Sequence, residues 1–253
     1  MLNFLKEKNN KNLDLPQTSL QHRELVLRKK FLKKLYTRWY ENFITEIRDN
    51  KKGKIVEIGS GGGFLKDLYQ EVITSDIIEL PHCDLTFAAD KMPFETGEVS
   101  AIFMLDVLHH IANVDEFFIE ANRCLHEKGI IYMIEPANTF FSRFIYKNFH
   151  HEPFNPQAKE WHFPSSGPLS DANGALPWII FERDRNIFEQ KYPEFKIEFI
   201  KKHTPFRYLI TGGLSYKSLV PGFSFSFLSF MEQLLNPLYN KIAMFQTIKI
   251  SKK

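Results

Sequence analysis

From residue 54 onward, short apolar runs alternate with longer segments whose apolar positions recur at helical spacing. This alternation is typical of a parallel sheet covered by helices, because each strand needs a connection that crosses back over the sheet. We predict strands at 54–58, 72–75, 84–87, 100–105, 130–134, 195–201 and 244–250, with a long helix beginning near Leu176. The pattern therefore predicts a seven-stranded α/β fold.

Two of the connections between strands differ in how clearly the sequence indicates a helix. Before the fifth strand, Asn113 is the expected N-cap of a helix, Glu116 lies three residues later, and Gly129 is expected to end the helix in a left-handed conformation. By contrast, only IIELPHC separates Asp76 from Asp84, which is too short for a normal crossover. We expect the helix between the second and third strands to be vestigial.

Residues 22–47 predict one amphipathic helix with basic residues between its apolar positions. Most of the excess positive charge of the chain, +3 overall, lies in this region. Such a basic face is usually solvated, although an anionic membrane is an alternative partner. No nucleic-acid-binding motif accompanies it, so we expect no nucleic-acid partner.

Two long insertions, 136–175 and 204–241, interrupt the α/β pattern, and loops of this length are usually functional. The apolar residues of the second insertion include Phe223, Phe225, Phe227, Phe230 and Met231. They either cover the sheet edge or form an apolar slot for a lipid-linked substrate. The apolar window at 219–235 is too short and too interrupted to span a membrane.

Composition favours a folded, reduced protein. The 25 phenylalanines and the 43% hydrophobic content predict an aromatic core. Cys83 and Cys124 form neither a disulfide framework nor a metal pair, and the N-terminal sequence lacks the apolar segment of a signal peptide. These features favour the cytoplasm, with peripheral contact to the inner membrane as the alternative.

The segment KIVEIGSGGGFLKDL at 54–68 places glycines between a strand and a helix, where a ligand can approach the main chain closely. A dinucleotide fingerprint would need a small residue where Phe64 stands, and a P-loop would need Lys-Ser or Lys-Thr after the glycines. Neither pattern is present. The turn therefore favours another anionic or nucleoside ligand.

Four motifs in order resemble class I S-adenosylmethionine-dependent methyltransferases of the UbiE-like branch. They are Glu57-x-Gly59-x-Gly61-x-Gly63, VITSDI ending near Asp76, KMPFETGEVSAIFMLDVLHHI at 91–111 and CLHEKGIIYMIEP at 124–136. The resemblance implies a Rossmann-like fold with an antiparallel last strand, in a methyltransferase domain at 51–253 behind an N-terminal helical cover at 1–50. It also implies S-adenosyl-L-methionine as the cofactor.

The resemblance implies that Asp76 binds both ribose hydroxyls through its two carboxylate oxygens. The full set of expected cofactor-binding residues is Glu57, Gly59, Ser60, Gly61, Gly63, Asp76, Ile77, Ala88, Ala89 and Asp106. The family often has Asp near the adenine where this chain has Ala88. Asp84, Asp90 or the backbone amides of Ala88 and Ala89 are the alternatives for that contact.

Methyl transfer to a hydroxyl needs a base, and histidine titrates nearest neutral pH. The expected catalytic residues are His109, His110, Glu135 and His151, although Glu135-Pro136 is also typical of a strand end with a solvated carboxylate. His150, Glu152 and His162 fall in the same insertion as His151. Adjacent histidines on extended chain point in opposite directions, so we predict no metal site.

We therefore predict a methyltransferase that acts on a hydroxyl of a glycan or lipid-linked small molecule. A C-methyltransferase of quinone or lipid biosynthesis is the enzymatic alternative, suggested by the UbiE-like motifs. A non-catalytic, cofactor-binding scaffold protein is the alternative from a different class.

Overall fold

The computed structural model describes residues 6–7, 12–47, 52–150, 152–167, 169 and 171–253. A seven-stranded sheet has the order β3-β2-β1-β4-β5-β7-β6. Its strands are Lys54–Ile58 (β1), Val72–Asp76 (β2), Leu85–Thr86 (β3), Val99–Leu105 (β4), Leu125–Pro136 (β5), Phe195–His203 (β6) and Phe245–Lys252 (β7). The predicted seven-stranded α/β fold is confirmed, and every predicted strand overlaps an observed one.

The sheet is parallel except at its last strand. The pairs β1–β2, β1–β4, β2–β3 and β4–β5 are parallel, whereas β7 is antiparallel to both β5 and β6. Because β1 lies between β2 and β4, the connections leave it in opposite directions. At such a switch point the loops after the strands separate and form a ligand crevice. The segments after Ile58 and Leu105 border that crevice.

Helices cover the sheet. They are Pro16–Arg28 (α1), Lys30–Ile47 (α2), Leu65–Leu68 (α3), Val114–Cys124 (α4), Phe140–Phe149 (α5), Leu176–Trp178 (α6), Arg185–Lys191 (α7), Arg207–Ile210 (α8), Phe225–Gln233 (α9) and Tyr239–Ile242 (α10). The core is aromatic, as predicted: the ring centroid of Phe43 on α2 lies 4.5 Å from that of Phe103, and Phe118 on α4 contacts Phe188 at 5.2 Å.

Three local predictions differ from the structure. The N-terminal amphipathic segment forms two helices, because the chain leaves helical geometry at Lys29, whose buried ammonium donates to the carbonyl of Gly213 at 2.7 Å. Asn113 precedes α4 but makes no side-chain capping bond. Lys128, with φ of 66°, is left-handed instead of Gly129, where a Cβ would lie 2.9 Å from the carbonyl oxygen of His126.

Other expectations about the connections are confirmed. No helix lies between β2 and β3 within 77–84, all of which the structure describes, and a helical segment begins at Leu176. That segment is interrupted by a π-helical turn at Ile179–Arg183. The division into a cover at 1–50 and a domain at 51–253 remains a prediction.

The two insertions fold into short helices that meet beyond the carboxyl edge of the sheet. Phe141 on α5 contacts Phe206 at 5.4 Å between ring centroids, and Tyr208 on α8 contacts Phe245 at 5.0 Å. We refer to α5, α8, α9 and α10 together as the helical cap. Across the described parts of the chain, no helix combines the length and the apolar composition needed to cross a membrane.

Candidate active site

In the glycine turn after β1, some positions need glycine because of packing within the protein, and another leaves open space for a ligand. Gly59 and Gly61 have φ of +68° and +42°, a region that favours glycine. A Cβ on Gly59 would lie 2.6 Å from Cγ2 of Val107, so packing within the protein already requires glycine there. The nearest atoms to a Cβ on Gly61 would be Asp76 Oδ2 and the Gly59 carbonyl oxygen, each 3.8 Å away. The open side of the turn is therefore at Gly61.

The N-terminal helices pack against the other two glycines. A Cβ on Gly62 would lie 2.9 Å from the backbone nitrogen of Arg23 on α1, and one on Gly63 would lie 2.5 Å from the hydroxyl oxygen of Tyr40 on α2. The absence of side chains at these positions therefore serves close helix packing. The region in which a ligand can contact bare main chain is narrower than the sequence alone indicates.

Two buried carboxylates flank the turn. Glu57 Oε2 accepts a hydrogen bond from Ser60 Oγ at 2.8 Å, and burial raises the pKa of Glu57 to about 8. Asp76 Oδ2 accepts from the Gly61 amide at 2.9 Å, and Oδ1 accepts from the Ile78 amide at 3.0 Å. Burial raises the pKa of Asp76, although these amide bonds oppose the shift. Asp76 is thus fixed beside the open part of the turn.

The residues expected near the adenine lie along the ends of β2 and β3. Ile77 follows Asp76 directly and is 45% exposed, while Ala88 and Ala89 are half-buried after β3. Asp84 does not replace the missing adenine-side carboxylate freely, because its Oδ2 accepts from both the amide and the hydroxyl of Thr74 at 2.9 Å. These contacts make Asp84 a brace for β2, and Asp90 or the backbone amides of Ala88 and Ala89 stay the predicted adenine contact.

A cleft lies beyond β4 and β5, under the helical cap. Its lining includes Asp106, Tyr146, Glu152, Phe154 and Tyr208, and it encloses about 340 Å³, including the part open to solvent. Asp106 has a left-handed φ of 63°, which is uncommon outside glycine and is concentrated at functional sites. Burial raises its pKa to about 7.

Glu135 is a buried brace and not the solvated strand end that its sequence context allowed. Its side chain is 0% exposed. Oε1 accepts from the amides of Val107 and Leu108 at 2.9 and 2.7 Å, and Oε2 lies 2.7 Å from His109 Nδ1. Both carboxylate oxygens are therefore used to hold the turn that follows Asp106.

His109 lies between two carboxylates. Beyond the Nδ1 contact to Glu135, its Nε2 lies 3.4 Å from Glu152 Oε2. Burial alone would lower the pKa of His109, but the hydrogen bond and charge of Glu135, together with Glu152, raise it well above the usual value. Conversely, burial would raise the pKa of Glu152, but His109, His110 and His150 hold it well below the usual range. The His109 ring thus lies between the two carboxylates and helps to position Glu152.

The other histidines named in the sequence analysis differ in their surroundings. His110 stacks beside His109 with ring centroids 4.4 Å apart, and burial lowers its pKa to about 4. His150 Nδ1 lies 3.7 Å from Glu152 Oε2. His151 lies outside the described residues. His162 belongs elsewhere, because its Nε2 pairs with Asp115 at 2.9 Å.

The sequence analysis did not assign Glu152, Tyr146 and Tyr208 to the cleft. Tyr146 donates to the Met244 carbonyl at 2.6 Å, which turns its ring inward from α5. The only signal in the sequence is that all three lie in the long insertions, since no motif connects them to the glycine turn. Their meeting is a result of tertiary packing.

The strand order, the glycine turn after β1, the carboxylate at the end of β2 and the cleft after β4 are features of class I S-adenosylmethionine-dependent methyltransferases. The cofactor fits the residues present, because Gly61 leaves open space beside the fixed carboxylate of Asp76. Residues 56–133 match the family model described as a methyltransferase domain. The UbiE-like branch remains a prediction.

One solved structure supports the fold. A geranyl diphosphate C-methyltransferase from Streptomyces coelicolor A3(2) is similar at 13% identity and a TM-score of 0.50, over 98% of this chain and 86% of that one. A SAM-dependent methyltransferase from Thermotoga maritima is similar at 15% identity and a TM-score of 0.48, over 91% and 99%. In sequence, the chain has no significant match among the curated proteins.

Proposed function

We propose that the chain methylates a hydroxyl oxygen of a small polar acceptor, the hydroxyl of a sugar in a glycan or a lipid-linked intermediate. The observation that supports this most is the pair of half-buried carboxylates, Asp106 and Glu152, in the wall of the cleft. Carboxylates accept hydrogen bonds from hydroxyl groups, and charge-assisted bonds of this kind orient an acceptor well.

The glycine turn and Asp76 would hold the cofactor. When bound, S-adenosylmethionine supplies a methyl group on a cationic sulfur, which leaves with the electron pair of the broken carbon–sulfur bond. Asp76 offers two oxygens to a vicinal diol, and Gly61 offers bare main chain beside it. Glu57, Ser60, Gly59, Gly63, Ile77, Ala88 and Ala89 complete the proposed set.

In our proposal Asp106, which the sequence predicted as a cofactor contact, is instead the base. It lines the cleft, so its carboxylate can accept the hydroxyl proton as the acceptor oxygen forms its bond to the methyl carbon. His109, His110 and Glu135 act as positioning residues in this scheme. His109 and Glu135 hold each other and the turn after Asp106, which leaves neither as the direct base. His151, outside the described residues, keeps its predicted catalytic role as a proposal.

We also propose that the acceptor is lipid-linked and is taken from an anionic membrane surface. Tyr146 lines the cleft from α5, while Phe140, Phe144 and Phe149 on the same helix are 56–85% exposed. On α9, Phe227 and Phe230 are also exposed, whereas Phe225 is buried against Phe31. The exposed basic residues Arg143, Lys147 and Lys241 lie on the same cap. Apolar rings flanked by cations suit an anionic bilayer.

Labelled transfer tests the reaction. The purified chain would be incubated with methyl-labelled S-adenosylmethionine and three acceptor classes: free sugars, polyprenyl-linked sugars and quinone precursors. We expect label in an O–CH₃ group of a sugar, identified by NMR. Label in a C–CH₃ group would support the quinone or lipid alternative. Cofactor binding without transfer to any acceptor would support the scaffold alternative.

Vesicle sedimentation tests the membrane contact. The double substitution Phe144→Ser with Phe227→Ser should release the chain from vesicles that contain anionic lipid. The matched control is Ile119→Ser with Ile187→Ser, because these residues are 64% and 54% exposed but lie on α4 and α7, outside the cap. Equal binding of both variants would contradict the membrane proposal.

A further inference from the structure

We infer that His109, His110 and Glu152 form a binding site for a divalent transition-metal ion such as Zn²⁺. One ligand atom from each residue lies within 4.8 Å of the others. The sequence analysis predicted no metal site because it considered His150 and His151 on extended chain. His109 and His110 instead lie on a 3-10 turn, Leu108–His110, whose tight curvature brings neighbouring rings to one side.

The distances within this cluster suit ligands around an ion. His109 Nε2 lies 3.4 Å from Glu152 Oε2, and His110 Nε2 lies 3.6 Å from Glu152 Oε1. A strong imidazole–carboxylate hydrogen bond is shorter, as the 2.7 Å contact between His109 and Glu135 shows. With metal–ligand bonds of about 2.0–2.1 Å in a tetrahedron, neighbouring ligand atoms lie about 3.3 Å apart. Each histidine lies near that spacing from one oxygen of Glu152, His109 from Oε2 and His110 from Oε1.

Both imidazole rings are oriented by a contact at Nδ1. His109 Nδ1 contacts Glu135, and His110 Nδ1 lies 3.3 Å from the backbone carbonyl oxygen of Asp171. Carboxylates and carbonyls in these positions fix the tautomer of metal-binding histidines and present the other nitrogen to the ion. Nε2 of His109 is buried and has no hydrogen-bond partner in the part of the chain that the structure describes. It is directed toward Glu152.

The carboxyl groups around His109 also favour binding of a cation. Asp106, Glu135 and Glu152 surround His109, so this small buried volume contains three carboxyl groups. Two imidazoles with one carboxylate suit Zn²⁺ or Fe²⁺ better than Mg²⁺ or Ca²⁺, which prefer oxygen ligands.

The site adjoins the cleft through Glu152. Three protein ligands leave a tetrahedral ion one position for an oxygen of the bound molecule. If that molecule is the hydroxyl acceptor, the ion lowers the pKa of the hydroxyl and Asp106 receives its proton. This catalytic use rests on the proposed function, whereas the binding site rests on its own geometry.

Metal titration of the purified full chain tests the site. After removal of metal with a chelator, Zn²⁺ binding would be measured by calorimetry, without acceptor, for the wild type, His110→Asn and Glu152→Gln. We expect one tightly bound ion in the wild type. Each substitution should weaken binding by at least the roughly 10–100-fold that loss of a supporting partner costs. His162→Asn is the matched control, because His162 pairs with Asp115 outside the cluster.

Absence of binding by the wild type, or equal weakening in all three variants, would overturn the site. S-adenosylhomocysteine binding and circular dichroism, measured on the same samples, would show that the variants are folded. Substitution of Co²⁺ adds a visible spectrum that reports tetrahedral nitrogen and oxygen ligands. A chain that binds one Zn²⁺ yet methylates no hydroxyl would contradict the proposed function and leave the metal site intact.

Discussion

The glycine turn and the carboxylate–histidine cluster, which comprises Asp106, His109, His110, Glu135 and Glu152, lie on the same edge of the sheet but are built differently. The turn is one continuous segment, and its ligand surface is the main chain at Gly61. The cluster is made of side chains from β4, β5 and the first insertion, held by contacts such as Glu135 to His109.

The contrast indicates that cofactor binding depends mainly on the glycine turn and that methyl transfer depends mainly on the cluster. A main-chain surface suits a cofactor that every turnover requires, because few side chains need to be positioned. A side-chain cluster supplies titratable groups, and it depends on each partner holding the next. Substitutions should therefore separate cofactor binding from methyl transfer according to the region they affect.

The largest effect should come from Asp106→Asn. Asparagine tolerates the left-handed φ of 63°, so the turn should persist while the proposed base is lost. We expect turnover to fall by about 10²–10⁴-fold, the usual contribution of a general base. Cofactor affinity, measured by calorimetry, should change little. Full turnover in the variant would remove Asp106 from catalysis.

Asp76→Ala should weaken the binding of S-adenosylhomocysteine. Loss of charge-assisted hydrogen bonds to the ribose costs about 1.5–3 kcal/mol, roughly 10–100-fold in Kd. Asp84→Ala is the control, because its carboxylate also braces the end of β2 but contacts Thr74 instead of Gly61. Similar Kd values for the two variants would count against a ribose contact at Asp76.

Glu135→Gln should lower the free energy of unfolding by about 1–3 kcal/mol. Glutamine can still accept from the amides of Val107 and Leu108, but the charge beside His109 is lost. Denaturant unfolding measures the change. A variant as stable as the wild type would show that the buried Glu135–His109 contact contributes little to holding the cluster.

Glu57→Gln should change the pH dependence of stability. The folded-state pKa of about 8 lies above the ordinary value of 4.5, so the unfolded chain releases its proton first and wild-type stability falls as pH rises between these values. Glutamine does not titrate, so the variant does not lose stability in this way as pH rises. Its stability relative to the wild type should rise from pH 5 to pH 8 in thermal melts of the ligand-free chain. A constant difference would contradict the shifted pKa.

The sequence predicted the fold well because strand alternation and the glycine turn are local patterns. The motif at 57–63 placed the switch point correctly, and Asp76 does lie beside it. Local pattern failed at Gly129, where the left-handed residue is Lys128, and at Lys29, where a contact to the distant Gly213 accompanies the break between two helices.

The cluster was only partly predictable. His109, His110 and Glu135 follow strands that the pattern identified, so their common edge could be predicted. The inward position of Glu152 and Tyr146 depends on how the first insertion folds back, and no spacing in the sequence encodes that path. Likewise, periodicity could not show that Glu135 is fully buried, because its partners are backbone amides of another loop.

Cofactor binding by two glycine variants tests the central claim most directly. Gly61 and Gly97 both have positive φ, and a Cβ at either would meet no neighbour closer than 3.8 Å, but Gly97 precedes β4 at the opposite edge of the sheet. Asparagine tolerates this backbone region at both sites. The account predicts that Gly61→Asn reduces S-adenosylhomocysteine affinity at least tenfold while Gly97→Asn binds like the wild type. Wild-type affinity in Gly61→Asn would contradict it.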